Sequence, residues 1–168
     1  MTYKILGTIG QGGMGCVYKA QDENGNIVAL KQMSNKVSYL PEYRSLFYNE
    51  VDNLRKMNSD MVVRIVGQPY GDSAGNLYLP MEFVKGKTIE QYVEQNGPMS
   101  EQQAIKTMCL ILDAMQYVHD HSCIHRDIKP SNIMMRDSGG ICIIDFGIAK
   151  DSHIGSTGKT VGTIIGTD

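Results

Sequence analysis

The sequence has no surplus of positive charge: 16 Lys and Arg stand against 18 Asp and Glu, a formal net charge of −2. The basic footprint of a nucleic-acid binder is therefore missing. No stretch approaches the roughly 18 uninterrupted apolar residues needed to span a bilayer. The opening MTYKILGTIGQGGMG also lacks the basic-then-apolar order of a signal peptide. Together these absences predict a cytoplasmic chain with no membrane span and no nucleic-acid partner. Cysteine is sparse, and Cys16, Cys109, Cys123 and Cys142 show neither a framework spacing nor a C-x-x-C, so free thiols in a reducing compartment are expected. Internal repeats and low-complexity tracts are absent as well. What is present is a 42% hydrophobic composition over 168 residues, enough for one domain or for two small lobes sharing a cleft.

The first third alternates like strands. YKILGTIG and CVYKAQD flank a glycine cluster, and NIVALKQM follows the turn DENGN, whose Asn24-Gly25 is a strong hairpin signal. A helix is expected from near Pro41, with Phe47, Glu50, Leu54 and Met57 on one face. MVVRIVG and NLYLPMEFV read as two further strands. A short helix then follows in TIEQYVEQNG, opened by a Thr88/Gln91 capping box and stopped at Asn96-Gly97. A long helix starts at a second possible capping box, Ser100/Gln103, with Ala104, Met108, Ile111, Met115 and Val118 on its apolar face up to His119. NIMM and ICIIDF form a hairpin around RDSGG that delivers Asp145 beside the loop carrying His125.

Three residue sets carry the chemistry. HDHSCIHRDIKPSN alternates His119, His121, Cys123 and His125, which on an extended strand would face a zinc ion together. His119 closes the long helix, however, and the others fall in the loop beyond, which weakens the metal reading. GQGGMGCV, from Gly10 to Val17, fits G-x-G-x-x-G-x-V between two strands. No helix follows the glycines, so the dinucleotide-binding reading fails. A glycine-rich hairpin of this kind can fold over a triphosphate, and it can equally be a plain turn. In VALK, Lys31 ends a strand, and Glu50 lies in an apolar helix stripe nineteen residues on; a salt bridge is the cheapest account of both buried charges. Finally, HRDIKPSN supplies Asp127, Lys129 and Asn132, and DFG supplies Asp145. Asn132 and Asp145 are oxygen ligands suited to a magnesium ion carrying phosphates.

IGQGGMGCVYKA, HRDIKPSNIM and DFGIAK together resemble the eukaryotic-type protein kinase family, most closely its bacterial Ser/Thr branch, and the likeness covers essentially the whole chain. It implies an α+β, two-lobed kinase-like fold: an antiparallel sheet with one helix over 1–84, and an incomplete, mainly helical lobe over 85–168. It also implies ATP and Mg2+ as cofactors and a protein Ser or Thr hydroxyl as acceptor. Residue by residue, Ile9, Gly10, Gly12, Gly13 and Gly15 would cover the nucleotide. Lys31 would hold its phosphates and Glu50 would orient Lys31. Val17, Ala29 and Met134 would sandwich adenine, with Met81 as gatekeeper and the backbone of Glu82 and Val84 bonding the base. Asp127 would orient the acceptor hydroxyl, Lys129 would stabilise the transferring phosphoryl group, and Asn132 and Asp145 would bind Mg2+. Leu54, Ile65, His125 and Phe146 would stack as a hydrophobic spine. Arg126 would pair with a phosphothreonine, for which Thr160, Thr163 and Thr157 are the candidates in that order.

The sequence departs from the family pattern in three places. Pro80 falls in an expected interior strand, and Ser122 stands where the family usually has glycine. The third departure is that the sequence ends at Asp168, before A-P-E. From this the expectation is weak protein phosphorylation and self-association through an exposed face of the long helix. The competing class is a non-catalytic kinase-fold module that binds nucleotide or a partner protein.

Overall fold

The computed structural model describes residues 2–12 and 15–145. Strands β1 (Lys4–Gly12) and β2 (Gly15–Gln21) form an antiparallel hairpin with two register shifts, and β3 (Ile27–Met33) continues the meander. The β2–β3 turn is fixed locally. Asp22 Oδ1 accepts from the backbone N–H groups of Asn24 and Asn26 at 2.9 and 2.8 Å, and Gly25 supplies the positive φ of 85°. In β3 the side chains alternate between faces. Val28 and Leu30 pack outward with Ala20 beneath Tyr3, Tyr18, Tyr70 and Tyr78, whereas Ala29 and Met33 enter the main core.

Asn35–Ser38 makes the short helix α1, and α2 follows over Pro41–Arg55 with proline in its first turn, where no N–H is needed. Its buried residues Phe47, Glu50, Val51 and Leu54 recur at 3.6-residue spacing, and Met57 joins the core just past the helix end. Each of the large apolar side chains contributes about 1.5–3 kcal/mol by leaving water. Strands β4 (Tyr70–Gly71) and β5 (Leu77–Glu82) complete a five-stranded sheet in the order β1-β2-β3-β5-β4.

The segment MVVRIVG does not form the expected strand. It makes only isolated bridges, Val62 with Ile143 and Ile65 with Met81. Val63 N–H donates to Ile143 on one side, while Val66 N–H donates to Pro80 C=O on the other at 3.0 Å. Pro80 explains part of this. Its carbonyl faces Val66, so its missing N–H also falls on that side and leaves the β3–β5 ladder intact, with Leu30 paired to Pro80. The segment therefore bridges the two lobes instead of extending one sheet.

In the second lobe β6 (Gly86–Thr88), β7 (Ile133–Arg136) and β8 (Ile141–Ile143) form a small antiparallel sheet. Gly86 is required there, since a Cβ would lie 2.0 Å from Met135 C=O. Helices α3 (Ile89–Asn96) and α4 (Glu101–Asp120) both open on complete capping boxes, Thr88/Gln91 and Ser100/Gln103. The buried face of α4 is Thr107, Ile111, Ala114 and Val118, rotated from the expected one. Small Thr107 and Ala114 let the helix approach β8, and Ala104 and Met108 turn to solvent. Ile105, Met108 and Leu112 are consequently exposed by 57, 54 and 60%.

Helix α4 ends at Asp120 in a Schellman arrangement. Ser122 N–H donates to His119 C=O and Cys123 N–H to Val118 C=O, with Ser122 at φ 56°. Serine thus occupies the left-handed position that favours glycine.

Candidate functional site

The cleft-facing side of β3 carries Lys31, paired across the ladder with Val17 on β2 and Leu79 on β5. Its Nζ lies 2.6 Å from Glu50 Oε1 on α2 and 2.8 Å from Asp145 Oδ1 beyond β8. Burial pushes the Lys31 pKa down, but the Glu50 and Asp145 carboxylates outweigh it and hold the ammonium well above the usual lysine range. The expected Lys31–Glu50 pair is present, and Asp145 is a second partner that ties the two lobes together.

Beyond α4 burial alternates along the chain: Cys123, His125 and Asp127 point inward, whereas Ile124, Arg126 and Ile128 are exposed. Arg126 adopts φ 66°, a sparsely populated conformation for a non-glycine residue. His125 is fully buried, and its Nδ1 accepts from Asp127 N–H at 3.3 Å. Burial lowers the His125 pKa despite the nearby Asp145 and Asp127 carboxylates, so the ring is held neutral as a packing and orienting group. His121 and Cys123 of the alternating cluster are separately engaged. His121 Nδ1 meets Tyr117 C=O at 2.8 Å while its ring packs on Tyr117, and Cys123 Sγ donates to His121 C=O. Among the described residues no group of three or more His, Cys, Asp or Glu is placed to hold a metal ion.

Asp127 is the focus of the loop. Its Oδ2 accepts from Asn132 Nδ2 at 3.0 Å and lies 3.1 Å from Lys129 Nζ, and its carbonyl accepts from the same Asn132 amide at 2.9 Å. Asn132 sits in the 3-10 turn Pro130–Asn132. With its nitrogen spent on Asp127, its Oδ1 is the end left for a cation. Ile144 N–H donates to Asn132 C=O at 3.0 Å, which brings the residue before Asp145 alongside Asn132. An amide oxygen and a carboxylate are both donors of the kind a hard divalent cation takes.

Ala29 pairs with Met81 in the β3–β5 ladder, and Ala29, Met81 and Val84 share one core cluster against which Val17 and Met134 pack. Gly10 pairs with Val17, Gly12 with Gly15, and Ile9 is 49% exposed. Gly15 proves to be needed for packing, since a Cβ there would sit 1.9 Å from Gln32 C=O. Leu54 is buried and Ile65 packs on the same core. Gly13, Phe146, Thr157, Thr160 and Thr163 lie outside the described residues.

The sequence reading missed the side chain of Glu82, which bonds Arg64 and Arg136. An acidic residue inside the apolar run YLPMEFV was the available signal, because a half-buried carboxylate needs partners.

The family model of the protein kinase domain matches residues 3–167. The chain belongs to the protein kinase family. It is 35% identical over 150 residues to a probable serine/threonine-protein kinase PknB of Lactococcus lactis, covering 88% of this chain and 24% of that protein. It is also 32% identical over 166 residues to the serine/threonine-protein kinase PknE of Mycobacterium bovis, covering 96% and 29% respectively. These matches place it with the bacterial Ser/Thr branch. The kinase domain of Mycobacterium tuberculosis PknI shares the fold, with a TM-score of 0.74 at 24% identity over 88% of this chain and 60% of that one. The chain spans about a quarter of the length of the curated relatives it matches.

Proposed function

We propose that this kinase-family chain transfers the γ-phosphoryl group of ATP to a Ser or Thr hydroxyl of a protein, with lobes meeting near Val84. The observation that carries this reading is the Asp127 carboxylate, buried yet bonded by both Lys129 and Asn132, on a loop adjoining the Lys31–Asp145 bridge. Adenine would lie between Val17 and Ala29 above and Met134 below. Glu82 C=O and Val84 N–H would read its edge, since Glu82 N–H is already given to Arg64 C=O at 2.8 Å. Lys31, oriented by Glu50, binds the α- and β-phosphates, and the hairpin from Ile9 to Gly15 covers them.

Asp127 orients the acceptor hydroxyl and takes its proton as the new O–P bond forms and the bond from Pγ to the β,γ-bridging oxygen breaks, releasing ADP. Lys129 offsets the charge on the moving phosphoryl group. Asn132 Oδ1 and the Asp145 carboxylate would hold Mg2+, which neutralises phosphate charge when bound. Arg126, exposed beside Asp127, would receive a phosphate on Thr160, or failing that on Thr163 or Thr157.

The test is transfer of labelled γ-phosphate to Ser/Thr peptides by wild type and Asp127→Asn. The expected result is transfer that falls at least 100-fold in the variant while ATP affinity is kept. ATP binding with no Asp127-dependent transfer would favour the non-catalytic module instead.

A further inference from the structure

Behind the cleft, Glu82 ends β5 with a side chain only 12% exposed, and it is gripped from both lobes. Arg64, in the strip joining the lobes, donates Nε to Glu82 Oε2 at 2.9 Å. Arg136, at the end of β7, donates Nη2 to Glu82 Oε1 at 2.5 Å. The same guanidinium reaches the Asp60 carbonyl through Nε and Nη2 at 3.0 and 2.8 Å. The main chain repeats the pattern. Glu82 N–H bonds Arg64 C=O, Asp137 N–H bonds Lys85 C=O at 3.0 Å, and Gly86 pairs with Arg136. The linker 83–85 is thereby stapled at both ends to β7 and to the segment after α2.

We propose that Arg136 is a positioning residue for nucleotide: with Glu82 it forms an interlobe clasp that fixes the linker backbone, and so sets ATP affinity without taking part in transfer. This rests on the reading that Glu82 C=O and Val84 N–H hold the base. Two main-chain hydrogen bonds give affinity only if the linker already points the right way; a loose linker must be ordered on binding, at a cost in affinity. The guanidinium suits the task because its planar fork bonds a carboxylate and a carbonyl at once, which a lysine ammonium on a flexible stem does not reproduce. Arg136 lies on β7, two residues after Met134, the expected floor of the adenine site. The clasp therefore connects the floor of that site to its edge.

The experiment is calorimetric titration of ATP with magnesium into wild type, Arg136→Gln, Arg136→Lys, Glu82→Gln and the double variant Arg136→Gln/Glu82→Gln, at a temperature where each is folded. Arg136→Gln should weaken binding roughly 3- to 10-fold, Arg136→Lys should fall between it and wild type, and the double variant should be no weaker than the worse single one. In turnover the KM for ATP should rise in the same proportion with kcat unchanged. If Arg136→Gln does not fold, Arg136→Lys decides. Wild-type affinity in the folded Arg136 variant, or a lower kcat at unchanged KM, overturns the proposal. A wild type that binds no ATP overturns the nucleotide reading itself, and the clasp's role with it.

Discussion

Among the described residues two charged bridges join the lobes, and they are built differently. In the cleft, one lysine is shared by two carboxylates, Glu50 at 2.6 Å and Asp145 at 2.8 Å, with Asp145 itself 44% exposed. Behind the linker, one carboxylate is shared by two arginines, and Arg136 adds a forked grip on a main-chain carbonyl. A compact ammonium on a flexible stem can change partners, whereas a guanidinium held through several donors is fixed in direction. On the proposed function, the front bridge suits a site that exchanges a carboxylate for phosphate in each cycle, and the rear one suits a part that stays fixed.

The largest expected effect separates charge from shape. Lys31→Arg keeps the positive charge but replaces the point charge with a fork, and phosphotransfer should fall at least 100-fold, about 3 kcal/mol in the barrier. A peptide kinase assay reads it, and near-wild-type turnover would break the distinction between the two bridges. Next in size is Glu50→Gln, which leaves a half-buried ammonium with one carboxylate fewer. It should cost about 2 kcal/mol of stability in denaturant unfolding. An unchanged midpoint would mean that Asp145 alone satisfies Lys31.

The pH profile probes the front bridge from two sides. Lys31 is raised above its ordinary 10.5, so its contribution is complete below that value and is lost only as pH climbs through the raised one. His125 is lowered from 6.5, so below that value the unfolded chain binds the proton first. Stability should therefore decline as pH falls from about 6.5, by at most about 1.4 kcal/mol per pH unit from this group. Thermal unfolding between pH 5 and 8 should show that acid limb and no alkaline one, with the limb flattened in His125→Phe.

Much of this architecture could be read from sequence where the cause is local. The Asp22–Gly25 turn, both capping boxes and the α2 stripe holding Glu50 depend on residues a few positions apart, and all are present. The misreadings share a non-local cause. The MVVRIVG segment is divided between β8 and β5, with Pro80 withholding a donor some fifteen residues away. The face of α4 is decided by how closely Thr107 and Ala114 let it approach β8. The rear clasp joins Asp60, Arg64, Glu82 and Arg136, whose spacings follow no helical or strand period. In the candidate site, Lys31, Asp127, Asn132 and Asp145 stand out through short motifs and Glu50 through the α2 stripe; the fold bonds Lys31 to Glu50 and Asp145, and Asn132 to Asp127. The roles of Gly15 in packing and of Asp145 as a second lysine partner needed the fold.

The smallest effect serves as the control for both bridges. Ser122→Gly removes a side chain from φ 56° at the end of α4 without touching either cluster, and should raise stability by about 1 kcal/mol. Combined with Glu50→Gln or Arg136→Gln, that gain should simply add; a failure to add would mean the helix exit is coupled to a bridge.

The most direct measurement is ATP affinity with and without magnesium, for wild type and Asp145→Asn, by calorimetry. Wild type should bind at least about tenfold more tightly with magnesium, and Asp145→Asn should lose most of that difference. Equal affinity in the presence and absence of magnesium would contradict the assignment of Asn132 and Asp145, and with it the claim that this cleft is a phosphotransfer site.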